Sequence, residues 1–199
     1  MSAITFTPLK RLTPVEFLDF TLLNQGLICE MNTNGSIILK TPNGKKYTRL
    51  VEYILKSLHD WNSRAEEGVV LDNHTGYILP NGAIRHPSVS WIKAHKIASQ
   101  TEHLLESVPD FFIEFLTESD TVNALKMRMK EYMLNGALLG WLIDVNNEKV
   151  HIFKIDGSEE IIDNFNKITL SGGSILKGFQ MTTDNGQRTN DNGQLTTDN

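Results

Sequence analysis

Pro109-Asp110-Phe111-Phe112-Ile113-Glu114-Phe115-Leu116 is the stretch whose reading decides the fold. A nearly continuous apolar run of this length, rich in aromatic and β-branched residues, reads as a strand buried on both faces. Strand periodicity places Asp110, Phe112, Glu114 and Leu116 on one face, with the two acids roughly 13 Å apart and unable to share one ion. Burying a lone carboxylate costs several kcal/mol unless a cation offsets it. Two readings of Glu114 follow: it meets an ion or cation inside the fold, or it lies at the strand end and pairs with a surface cation.

Downstream, Thr121 to Asn135 reads as a helix, with Val122, Leu125, Met129, Tyr132 and Met133 on one stripe and Gly136 as its stop. Leu125, Arg128, Met129 and Tyr132 stand at i, i+3, i+4 and i+7, so Arg128 shares the inward stripe while Lys126 and Lys130 diverge from it. Arg128 therefore either pairs with Glu114 or snorkels at the stripe's edge. Gly140 to Asp144 supplies the next strand, within a hairpin that returns through Asn146-Asn147 to Val150–Lys154. Strand, helix, strand in that order implies a crossover, hence a mixed α/β sheet.

Working outward, Thr13-Pro14-Val15-Glu16 predicts a helix start with a capping box, the helix running to about Gln25 before Gly26. Leu27–Met31 and Ser36–Lys40 flank Asn32-Thr33-Asn34-Gly35, a hairpin signal, with Glu30 on the same strand face as Ile28. From Tyr47 to about Arg64, Leu50, Val51, Ile54, Leu55, Leu58 and Trp61 fall at helical spacing. Val69–Asp72, Gly76–Leu79 and Val89–Ile92 read as short strands, and Lys93–Val108 as a polar, partly helical excursion.

The final segment differs in kind. Thr182-Thr183-Asp184-Asn185-Gly186-Gln187-Arg188 is nearly repeated by Thr189 to Leu195, and a third copy begins at Thr196. The repeat lacks the apolar a and d positions of a coiled coil and the closing glutamate of a calcium loop. Residues 1–180 thus read as one domain and 181–199 as a disordered polar tail.

Composition bounds the function. In 199 residues, 40% hydrophobic and 22% charged content is that of a globular protein with an ordinary core. No apolar run approaches the ~20 residues of a membrane span, and Met1-Ser2-Ala3-Ile4-Thr5 lacks signal-peptide character. A single cysteine, Cys29, excludes an internal disulfide and a multi-cysteine zinc site. A cytoplasmic protein with no membrane partner is expected. The net charge of −5 argues against a protein that coats nucleic acid nonspecifically, though not against a local basic rim. Lys45, Lys46 and Arg49, in a glycine-containing loop entering a helix, could form such a DNA-binding rim or simply a solvated helix start. Asn43-Gly44-Lys45-Lys46 is not a Walker loop, and neither a His-x-x-x-His pair nor a Gly-x-Ser-x-Gly elbow is present.

Three blocks carry a family resemblance: Thr75 to Trp91, which includes Arg85-His86-Pro87-Ser88-Val89-Ser90-Trp91; Pro109 to Leu116; and Lys130 to Asp144. Together they resemble the Uma2 family of restriction-endonuclease-like proteins, from Leu12 to Phe179. The resemblance implies an α/β, restriction-endonuclease-like mixed β-sheet flanked by helices, of the PD-(D/E)xK class, and Mg²⁺-dependent hydrolysis of phosphodiester bonds in DNA. In such sites two acids hold the metal, which activates water and neutralises charge on the phosphate, while a lysine orients the water.

Carried over residue by residue, Glu114 matches the family's strand glutamate and Glu30 an acidic position facing the site. The family's metal-binding aspartate falls at Ser88 and its helix lysine at Arg128. Both are departures. Serine is a neutral, weak ligand, and arginine stays protonated and cannot readily carry a proton. Glu114 with Glu30 could retain weak Mg²⁺ binding, whereas His86, near Ser88, suits zinc better than magnesium. The expected catalytic set is Ser88, Glu114 and Arg128. Three functions remain open: an endonuclease of reduced activity, a degenerate DNA-binding member, and a protein-interaction module. A homodimer is compatible with each.

Overall fold

The computed structural model describes residues 4–24, 26–40, 45–97, 103–117, 120–164 and 168–183, except the side chains of Lys45 and Lys46. In chain order they form β1 (Ile4–Phe6), α1 (Pro14–Leu23), β2 (Ile28–Met31), β3 (Ile37–Lys40), α2 (Lys45–Ala65), β4 (Gly68–Asp72), β5 (Gly76–Ile78), β6 (Ile84–Arg85) and β7 (Val89–Lys93). There follow β8 (Leu104–Leu105), β9 (Phe111–Phe115), α3 (Val122–Leu134), β10 (Leu139–Asp144), β11 (Lys149–Lys154), β12 (Glu159–Asp163), β13 (Thr169–Ser171) and β14 (Gln180–Thr182).

β9 sits inside a six-stranded mixed sheet of order β12-β11-β10-β9-β7-β4. It pairs in parallel with β10, in register Ile113↔Trp141, and antiparallel with β7, in register Ile113↔Val89. Its alternating side chains divide between two cores. Phe111, Ile113 and Phe115 join Ile54, Leu58 and Trp61 of α2, and Phe112 joins Leu125, Met129 and Tyr132 of α3. This explains the unbroken apolar run: each fully buried large side chain contributes about 1.5–3 kcal/mol, and neither face of β9 is solvated.

The crossover β9–α3–β10 is the one the sequence order predicts. α3 packs tightly enough on β10 that a Cβ at Gly140 would fall 2.6 Å from the Phe112 ring and 2.8 Å from Met129. Thr121 caps α3, its hydroxyl accepting from the Ala124 N–H, and Gly136 follows the helix at φ 109°. At α1 the capping box forms as read from sequence, with Glu16 N–H donating to Thr13 Oγ1 and Thr13 N–H to Glu16 Oε2.

A second six-stranded sheet runs β1-β3-β2-β6-β5-β8. Its β2–β3 hairpin turns at Gly35, φ 84°, and pairs Glu30 with Ile38 and Ile28 with Lys40. Some elements differ from expectation. Of the segment 93–108, the described residues show only a short 3-10 turn at Ala94–Lys96 and the two-residue β8. β1, β6 and β12 to β14 escaped the sequence reading because they are short or solvated and carry little periodicity. β14 pairs Met181 with Leu170, and the Thr183 N–H donates to the Ile168 carbonyl, so ordered pairing passes the boundary drawn at 180 and enters the first repeat copy. The rest of the predicted tail lies outside the described residues.

Candidate active-site cleft

Four elements converge on a cleft of about 390 Å³. β9 presents Glu114 near its C-terminal end; β2 buries Glu30 behind the cleft wall, and its hairpin register puts Lys40 of β3, which lines the cleft, on the same face; α3 turns Arg128 inward. Ser88, just before β7, lines the cleft beside Glu114, its N–H donating to the Ile113 carbonyl at 3.0 Å.

Both glutamates are sealed, Glu30 at 0% and Glu114 at 2% exposure. Two cations bridge them. Lys40 Nζ lies 2.9 Å from Glu30 Oε1 and 3.6 Å from Glu114 Oε2. Arg128 Nη1 lies 3.0 Å from Glu30 Oε2 and 3.8 Å from Glu114 Oε1. The sharing is unequal. Glu30 Oε1 also accepts from the His86 N–H at 3.1 Å and from Arg128 Nη1 at 3.1 Å, and Arg85 Nη1 stands 3.9 Å from Oε2. Glu114 Oε1 accepts no hydrogen bond among the described residues.

The titration of the two acids follows that asymmetry. Burial works to raise Glu30, but Arg128, Lys40 and Arg85 together outweigh it and hold the carboxyl well below the usual range. Burial raises Glu114, Lys40 and Arg128 offset it only in part, and the charge on Glu30 pushes it further up. Burial lowers His86, keeping the imidazole neutral; Nδ1 lies 3.1 Å from the Asn73 carbonyl, so the proton is placed there by its partner.

Arg128 thus approaches both Glu114 and Glu30, and Ser88 and His86 line the cleft with Glu114 and Arg128. Of the expected basic rim, Arg49 is exposed on α2, whose Thr48 and Val51 line the cleft, and the side chains of Lys45 and Lys46 lie outside the described residues. Asp110 is remote in role, held by Lys96 Nζ at 2.9 Å and the Lys93 N–H at 2.9 Å. The sequence reading missed Lys40, Arg85 and Asp120, the last of which lines the cleft with its Oδ2 accepting from the Thr117 N–H and hydroxyl. Lys40 could have been found from the hairpin, since counting by twos across the Gly35 turn puts it on Glu30's face. Arg85 binds Glu131 at 2.7 Å and the Met31 carbonyl at 3.1 Å, and no local pattern announces either partner.

The donors expected to hold Mg²⁺ fit it poorly. Glu30 is saturated by three cations and a backbone N–H, Ser88 contributes no charge, and no trio of His, Cys, Asp or Glu is arranged around an ion among the described residues. Glu30 Oε2 and Glu114 Oε1 both lack a hydrogen-bond partner among the described residues, but Glu30 Oε2 has Arg128 Nη1 at 3.0 Å and Asp120 accepts from Thr117, so Glu114 offers the carboxylate least engaged, and a site built on it is weak.

A mixed sheet with a parallel crossover, flanked by helices and presenting a strand carboxylate to a cleft, defines a restriction-endonuclease-like α/β protein. The family model described as "Putative restriction endonuclease", Uma2, matches residues 14–184, and the chain belongs to that family. A solved structure described as "a putative nuclease belonging to DUF820 from Anabaena variabilis" superposes with a TM-score of 0.72 at 15% identity, covering 86% of this chain and 95% of its own. That likeness establishes the fold. No curated protein matches the sequence. No helix among the described residues is long and apolar enough to cross a membrane.

Proposed function

We propose that this chain binds DNA on a nuclease scaffold whose Mg²⁺-dependent hydrolysis is strongly weakened. The observation that carries the reading is the state of the acids around the cleft: Glu30 is held by three cations, Asp120 accepts from Thr117, Glu114 is the carboxylate least engaged, and the residue beside it, Ser88, is neutral. Family membership supports a nucleic-acid ligand. Lys40 and Arg128, with side chains 22% and 17% exposed, offer cations to a backbone phosphate at the cleft, and Lys45, Lys46 and Arg49 would extend the contact along the start of α2. A cytoplasmic setting suits the single free cysteine, Cys29.

A second reading, Mg²⁺-dependent cleavage, draws on one observation: Glu114 lines the cleft, and its buried Oε1 has no hydrogen-bond partner among the described residues. Fluorescence anisotropy with duplex DNA, together with nicking of supercoiled plasmid in millimolar Mg²⁺, separates the two. Binding that weakens linearly with log salt and no nicking is expected. Nicking abolished by Glu114→Gln would establish the second reading, and no binding at low salt would overturn the first.

A further inference from the structure

We propose that Lys40 is a built-in counter-ion that holds the place of a divalent cation in this cleft. Its ammonium is ringed by three oxygens: Glu30 Oε1 at 2.9 Å, Glu114 Oε2 at 3.6 Å and the His86 carbonyl at 2.8 Å. Two carboxylates and a backbone carbonyl are the hard donors that Mg²⁺ or Ca²⁺ selects. Arg128 approaches the other oxygen of each carboxylate, Glu30 Oε2 and Glu114 Oε1. The two acids are therefore faced by two fixed cations, and a divalent ion entering the ring would meet the Lys40 ammonium at contact distance with no carboxylate charge left over to offset it.

Lysine suits this place. It is a point charge on a flexible stem, and at 22% side-chain exposure it reaches the ring from the open side of the cleft. The inference rests on the reading of the cleft as a weakened nuclease centre, and it supplies a cause for the weakening that Ser88 alone does not.

The test measures metal binding, with no activity required. Isothermal titration with MnCl₂ and MgCl₂, and thermal unfolding in the same salts, are run on the full chain and on Lys40→Met, Lys40→Arg and Lys40→Met/Glu114→Gln. The wild type and Lys40→Arg are expected to show no saturable binding. Lys40→Met is expected to take one Mn²⁺ per chain, at least about tenfold tighter than wild type, with a metal-dependent rise in Tm that the double variant loses. Wild-type binding as tight as that of Lys40→Met overturns the proposal, as does a folded Lys40→Met that gains nothing. Should Lys40→Met fail to fold by circular dichroism, Lys40→Gln, which keeps a donor for the His86 carbonyl, is judged by the same criterion. Anisotropy with duplex DNA runs in parallel: failure of the wild type to bind DNA overturns the functional reading and leaves the metal result standing.

Discussion

Asp110 and Glu114 stand at the two ends of β9, on the same face of the strand and equally sealed from water, at 1% and 2% exposure. From sequence they are twins. In the fold, Asp110 is fully engaged, its two oxygens taken by Lys96 Nζ and by the Lys93 N–H. Glu114 faces a cleft, keeps one oxygen without a hydrogen-bond partner among the described residues, and has its nearest cations at 3.6 and 3.8 Å. Burial alone therefore says little about role. What separates a structural acid from a candidate active-site acid is whether local geometry completes its hydrogen bonds, because an incomplete shell inside a protein leaves binding capacity for something else.

The comparison can be broken most directly at Asp110. Asp110→Ala removes the partner of a partly buried lysine and of a strand N–H, and is expected to cost about 3 kcal/mol in urea denaturation; a cost near zero would mean that its shell contributes nothing. Arg128→Met leaves Glu30 with Lys40 and the more distant Arg85, for an expected loss of about 2 kcal/mol, smaller because two cations remain.

Glu114→Gln should behave in the opposite sense. The folded carboxyl titrates above its ordinary 4.5, so the folded state keeps a proton that the unfolded chain has released. The stability tied to this group is complete below that ordinary value and is lost as pH rises through the raised folded one. The variant is therefore expected to match wild type in acid and to exceed it in stability at neutral pH, read from denaturation at a series of pH values. Glu30 runs the other way: held low, it contributes fully above 4.5 and loses that contribution as pH falls toward its folded value. A Glu114→Gln curve parallel to wild type across the series would show that the two ends of β9 are alike after all. Ser88→Asp has the smallest expected effect, weak Mn²⁺ binding by titration where the wild type shows none, limited because Lys40 stays in place; no binding would put the site elsewhere.

Legibility followed range. The α1 capping box, the β2–β3 and β10–β11 hairpins, the α2 stripe and the β9–α3–β10 crossover rest on signals within a few residues, and each formed as read. In the cleft, Glu114 and Arg128 lie in adjacent elements and were within reach of periodicity. Lys40 was half legible: the hairpin register puts it on Glu30's face, but its approach to Glu114, on a strand of the other sheet, was not. Arg85 was overlooked because its partners, Glu131 and the Met31 carbonyl, sit on separate elements.

By itself, the sequence determined the element types and the two-faced burial of β9, because period and apolar content act locally along the chain. It also determined the family, through ordered blocks from Thr75 to Asp144. Only the tertiary structure decided which carboxylate is saturated and which is left open. That outcome depends on Lys40, Arg128 and Arg85 arriving from three different elements at distances of 2.9 to 3.9 Å, where a shift of an ångström changes the electrostatic balance and no spacing along the chain records it.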